Sequence, residues 1–154
     1  MKPLISCARE KEEVVEKFVW KDSFCLGIDE IDNQHRHLLD VLNTCKEKSE
    51  QAQGDSFTPA FLEDMKNYAD IHFKTEEALM KQFSYPQFDA HYEQHVLFRT
   101  KMAELEEAVR GGKRNTIVSL TDFLSNWYID HIMEYDQKIR SHMLQRLDAI
   151  KPNP

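Results

Sequence analysis

The feature that most constrains this chain is a repeated spacing, His72-Phe-Lys-Thr-Glu76 and, downstream, His91-Tyr-Glu-Gln-His95. Each sets two metal-competent side chains four residues apart, which on a helix puts them on one face, about one turn from each other. His35 lies in a helical pattern upstream, and His131 and Asp136 lie in another downstream. Four successive helical segments thus supply five histidines and two carboxylates. Such a set suits a pair of metal ions inside a helical bundle.

The remaining composition agrees with long helices. A chain of 154 residues with 4 Gly and 5 Pro suggests one domain, long enough to bury a core and poor in turns. A formal net charge of -7 with no cationic face argues against nucleic acid as a partner, since phosphate binding needs clustered positive charge. No apolar run approaches the ~20 residues of a membrane span. The opening Met-Lys-Pro-Leu-Ile-Ser-Cys-Ala is too short and too quickly charged for a signal peptide, so the expected location is cytoplasmic. Cys7, Cys25 and Cys45 are widely spaced without C-x-x-C and read as free thiols packed like small apolar residues.

Periodicity divides the chain into an N-terminal arm (1–19), a helical domain (20–148) and a short tail (149–154). The arm's run Arg9–Glu13 reads as a solvated charged face. Trp20 to Gly27 lacks a helical period and reads as an extended connection across the outside of the domain. A first helix is predicted from Asp29 to Gly54, with Ile31, His35, Leu38, Leu39, Leu42 and Cys45 on its apolar stripe. His37 lies about 200° round from His35 and faces the surface. A second helix starts with Thr58 as cap and Pro59 at the first position, and ends at Tyr85-Pro86. His72 and Glu76 ride on its apolar stripe, where a carboxylate is costly unless paired or bound to a metal. Glu77 beside it reads as an ordinary solvated side chain. A third helix, Asp89 to Arg110, carries His91 and His95 inward and ends at Gly111-Gly112. A fourth, Asn115 to Leu147, turns Trp127, Tyr128, His131 and Ile132 inward. Short connections between them imply an all-α, up-down-up-down antiparallel four-helix bundle. Asp136 is out of register: five residues past His131, it lies about 140° away on an ideal helix, and needs side-chain reach or a local irregularity.

Imidazole and carboxylate without thiolate suit iron, manganese or zinc, and neither H-E-x-x-H nor a pair of E-x-x-H motifs is present. The segments Gly27-Ile-Asp-Glu-Ile-Asp-Asn-Gln-His35, His72-Phe-Lys-Thr-Glu76-Glu-Ala-Leu-Met, Tyr85-Pro86 with His91-x-x-x-His95, and Trp127-x-x-x-His131-Ile-x-x-x-Asp136 follow one another in this order. Together they resemble the hemerythrin family, in its single-domain bacterial form.

The resemblance implies two iron ions, one held by His91, His95 and His131 and the other by His35 and His72. Glu76 and Asp136 would bridge them, together with a hydroxide or oxide. Five nitrogens, four carboxylate oxygens and that bridge fill about eleven of the twelve positions on two octahedral metals. The open position falls on the iron held by His35 and His72. There the resemblance implies reversible binding of dioxygen by a monomer, for storage, sensing or delivery to a protein recipient. Leu38, Phe73, Trp127, Tyr128 and Ile132 would line the oxygen pocket and exclude water. Tyr128 departs from the family's usual leucine, and its hydroxyl would donate to bound oxygen or admit water, shortening the life of the oxygenated form. The alternative reading is an enzyme, with the same metal pair acting as oxidase or peroxidase or reducing nitric oxide.

Overall fold

Four stretches of apolar residues at helical spacing become four long helices, and a few local contacts decide where each begins and ends. The computed structural model describes residues 17–50, 59–113 and 116–150. Helix α1 spans Asp29–Glu50, α2 Pro59–Gln82, α3 Phe88–Arg110 and α4 Thr116–His131. A π-helical turn, Ile132–Asp136, then leads into α5, Gln137–Ile150. The described residues contain no strand.

The entry to α1 is organised by Asp32. Its carboxylate accepts the backbone N–H of Leu26 at 2.7 Å and of Gly27 at 3.0 Å, and the Cys25 thiol lies 3.0 Å from it. Gly27 turns the chain with φ +79°, a conformation that favours glycine. The exit from α2 is closed by two bonds: Ser84 N–H donates to the Lys81 carbonyl and Tyr85 N–H to that of Met80. Ser84 takes φ 50° to do so, and the pattern satisfies carbonyls that the helix end would leave bare. Helix α3 ends in the same way at Gly112, φ 72°, with Gly112 N–H on Val109 and Lys113 N–H on Ala108.

The main neighbours are α1 with α4 and α2 with α3, with lesser contact between α1 and α2 and between α3 and α4. This is the ring of an up-down-up-down bundle. Its main core runs from Leu39 and Leu42 through Met65, Phe73, Phe98 and Leu124; each such side chain contributes about 1.5–3 kcal/mol when fully buried. A smaller cluster, Met80, Tyr85 and Ile139, packs the α2–α3 corner against α5. On α2, His72 and Glu76 sit between these two clusters, and so do His91 and His95 on α3 and His131 and Asp136 beyond α4. A buried polar layer therefore crosses an otherwise apolar interior.

Two expectations need correction. The segment before α1 is not merely extended over the outside: Asp22–Phe24 forms a 3-10 turn, and Phe24 and Leu26 are buried. Asn43 pins it by exchanging two hydrogen bonds with the Phe18 backbone, at 2.8 and 2.9 Å. The fourth helix is not continuous, because the π turn interrupts it. Cys45 is buried and Cys25 partly so, both as free thiols. His37 is exposed and packs on Tyr68, with ring centroids 4.2 Å apart. The predicted helix end at Gly54, the Thr58 cap, the helix start at Asn115, Cys7, the Arg9–Glu13 run and the tail from Lys151 lie outside the described residues. Among the described residues no helix is long and apolar enough to cross a membrane.

Candidate metal centre

The π turn decides the geometry of the site. Gln137 N–H donates to the carbonyl of Ile132, five residues back, and widening the turn absorbs one extra residue. Asp136 is thereby brought onto the face of His131, and Asp136 Oδ1 lies 3.3 Å from His131 Nε2. The side chain that an ideal helix would turn away becomes fully buried.

All seven candidate ligands converge. Glu76 Oε1 lies 3.3 Å from His72 Nε2 and 3.6 Å from His35 Nε2. Its other oxygen, Oε2, lies 3.1 Å from His95 Nε2, 3.5 Å from His91 Nε2 and 4.0 Å from His131 Nε2. Asp136 divides in the same way, with Oδ2 3.2 Å from His35 Nε2 and Oδ1 3.4 Å from His91 Nε2. Each carboxylate thus offers one oxygen to a two-histidine set, His35 and His72, and one to a three-histidine set, His91, His95 and His131. In two groups, Glu76 with His91, His95 and His131 and Glu76 with His35 and His72, the ligand atoms lie within 4.8 Å of one another and could hold an ion.

Several of these contacts are short without being aligned as hydrogen bonds. His35 Nε2, His131 Nε2, Glu76 Oε1 and both Asp136 oxygens are buried and have no hydrogen-bond partner. An unsatisfied buried polar group costs about 1–3 kcal/mol. Atoms aimed at a common point, rather than at each other, are what a cation site requires, and the donor set fits iron.

Charge in this layer is strongly coupled. Burial opposes ionisation of Glu76, but the histidines around it, His72 foremost, hold its carboxyl well below the ordinary range. Burial drags the His72 imidazole down to about 4 and lowers His131 as well. Burial also works against a charged His35, yet Asp136 and Glu76 lift it to about 9.

Outer partners fix two of the rings. His72 Nδ1 faces Gln34 Oε1 at 3.0 Å, and the Gln34 amide nitrogen reaches Thr75 Oγ1 at 3.4 Å. His95 Nδ1 faces Glu77 Oε1, also at 3.0 Å. The reading of Glu77 as solvated is therefore wrong: it is folded inward against α3, with 14% of its side chain exposed. The sequence reading also passes over Gln34. Their only sequence clues are adjacency to His35 and Glu76 and, for Glu77, a cation at Arg99, four residues after His95.

A family profile described as "Hemerythrin HHE cation binding domain" matches residues 26–141. The chain belongs to the hemerythrin family. Among curated relatives, a bacteriohemerythrin from Clostridium acetobutylicum is 32% identical over 126 residues, covering 79% of this chain and 97% of its own. One from Stenotrophomonas maltophilia is 30% identical over 131 residues, covering 82% and 84%. A crystal structure of a hemerythrin mutant superposes with a TM-score of 0.72 at 24% identity, covering 81% of this chain and 95% of that one; this is a likeness of fold.

The five side chains expected around a hemerythrin oxygen pocket are not equivalent here. Phe73 stacks on His95 with centroids 4.0 Å apart, and Trp127 on His131 at 4.2 Å. Both therefore cover the three-histidine set. Ile132 is buried in the same core cluster. Leu38, Trp127 and Tyr128, with Met65 and Phe98, line a small apolar hollow of about 20 Å³. Tyr128 stands beside His35, ring centroids 6.4 Å apart, and its hydroxyl donates to the His35 backbone carbonyl at 2.8 Å. Burial pushes its pKa up. The hydroxyl that the hemerythrin resemblance offers to bound oxygen or to water here donates its proton to α1.

Proposed function

We propose that this protein binds dioxygen reversibly at two non-haem irons. His91, His95 and His131 would hold one, His35 and His72 the other, and Glu76 and Asp136 would bridge them. The observation that carries this reading is the division of both carboxylates between the two histidine sets. Two shared carboxylates bring neutralising charge to both ions, and the two-histidine side is left one protein ligand short. That side is where dioxygen would enter.

When bound, the metal pair supplies two electrons that dioxygen takes up and returns. The chain's own residues do the rest. Gln34 and Glu77 hold the His72 and His95 rings with Nε2 turned inward. Phe73 and Trp127 cover the three-histidine set, and Leu38, Tyr128 and Ile132 keep the surroundings apolar, which excludes water from the centre. The reading accords with the oxygen-binding character that the hemerythrin resemblance implies. A cytoplasmic monomer that stores oxygen or hands it to a protein recipient belongs to the same proposal. Tyr128, which together with the open site would permit peroxide or nitric oxide reduction, donates its proton to the His35 carbonyl, which favours binding over catalysis.

Iron-loaded, reduced protein titrated with dioxygen should develop a visible band that saturates at one dioxygen per two irons and fades when the oxygen is removed. Rapid, irreversible passage to an oxidised spectrum would overturn reversible binding in favour of oxidase or peroxidase chemistry.

A further inference from the structure

Behind the two histidine sets the protein places different chemistry. The group facing His95 Nδ1 is the Glu77 carboxylate, and the group facing His72 Nδ1 is the neutral Gln34 amide oxygen, each at 3.0 Å. A carboxylate only accepts, so His95 carries its proton on Nδ1 and presents a lone pair at Nε2. That lone pair faces His91 Nε2 at 3.0 Å and Glu76 Oε2 at 3.1 Å, a contact that a cation would relieve. Gln34 acts likewise on His72 but without charge, its orientation set by Thr75.

Glu77 is itself clasped. Arg99 Nε donates to Asp70 Oδ1 at 2.6 Å, and Arg99 Nη2 reaches Glu77 Oε1 at 3.5 Å. The guanidinium lies 5.1 Å over the Phe73 ring, whose plane is 12° from that of His95. Asp70, Phe73 and Glu77 follow one another along α2, and His95 and Arg99 along α3. Side-chain exposure falls from 37% at Asp70 to 29% at Arg99, 14% at Glu77 and 0% at His95. The charged row therefore runs from solvent to the back of one ligand, ending at the three-histidine set.

We propose that Glu77, oriented by Arg99 and Asp70, is a positioning residue that makes the two metal sites electronically unequal. A carboxylate draws the Nδ1 proton of His95 toward itself and leaves Nε2 a stronger donor, whereas Gln34 does this weakly for His72. The ion held by His91, His95 and His131 is thereby stabilised at higher charge, and that by His35 and His72 less so. The inference rests on the two-metal reading given above.

The test uses the full chain, with helix content checked by circular dichroism. Titrated with cobalt(II) alone, wild type and Glu77→Gln should each bind two ions, because glutamine keeps an acceptor for Nδ1. Glu77→Leu should weaken cobalt loading about 10- to 100-fold. In the iron-loaded protein Glu77→Gln should raise the midpoint potential. Gln34→Glu should lower it, and so should Arg99→Met, which unmasks the Glu77 charge. A structural tie between α2 and α3 would instead move Glu77→Gln and Arg99→Met in the same direction, and that result overturns the assignment. A potential indifferent to Glu77→Gln does so as well. Fewer than two cobalt ions on wild type would sink the two-metal reading and this inference with it, whereas two ions with an unmoved potential sinks only the role of Glu77.

Discussion

At position 128 a phenol stands where the hemerythrin resemblance implies leucine, and its hydroxyl is tied to the backbone of a candidate ligand. The 2.8 Å bond to the His35 carbonyl joins α4 to α1 at the level of the site. Such a bond contributes about 0.5–1.5 kcal/mol. Tyr128→Phe should therefore lower stability by about 1 kcal/mol in urea unfolding while leaving the lifetime of the oxygenated form no longer than in wild type. A clearly longer lifetime would return to the hydroxyl the oxygen-side role that the sequence suggests. Most legible in the sequence are residues whose partners share a helix: His72 with Glu76 and His91 with His95 announce themselves by spacing alone, while His35 is read from its place on an apolar stripe. Gln34 and Glu77 could not be read, because their histidines lie 38 and 18 residues away on another helix. Only the packing of α1 on α2 and of α2 on α3 shows which neighbours they meet.

Helix positions follow from apolar periodicity, so α1 starts, α2 stops, and α3 both starts and stops close to where the sequence places them. The fourth segment differs. Asp136 misses its face by about 140° on an ideal helix, so the sequence carries the symptom of an irregularity but not its place. The π turn at Ile132–Asp136 is the remedy. A turn that absorbs one extra residue can also give it up. Deleting exposed Glu134 leaves His131 and the aspartate four apart, the spacing already used in α2 and α3. That variant should keep its cobalt stoichiometry and its helix content. Deleting exposed Asp130 should abolish stoichiometric binding, because it rotates His131 by about 100° against the rest of α4. Equal tolerance of both deletions would mean that the turn does not set the register of the site.

Across the whole molecule, a polar layer separates two apolar clusters, and its unsatisfied atoms make the metal-free fold less stable than its core would suggest. An ion that binds only the folded chain adds about 2.7 kcal/mol when present at 100 times its dissociation constant, so the melting temperature should rise as cobalt is added and fall on chelation. The way it rises depends on Glu76 and Asp136. Since each lends one oxygen to either side, neither half is complete by itself, and the first ion orders ligands that the second will use. Loading should be cooperative. At half a complement of cobalt, native mass spectrometry is expected to show chains with two ions and chains with none, and a dominant one-ion species would contradict this. A population divided in that way matures by an all-or-none step, and chains carrying a single ion do not accumulate.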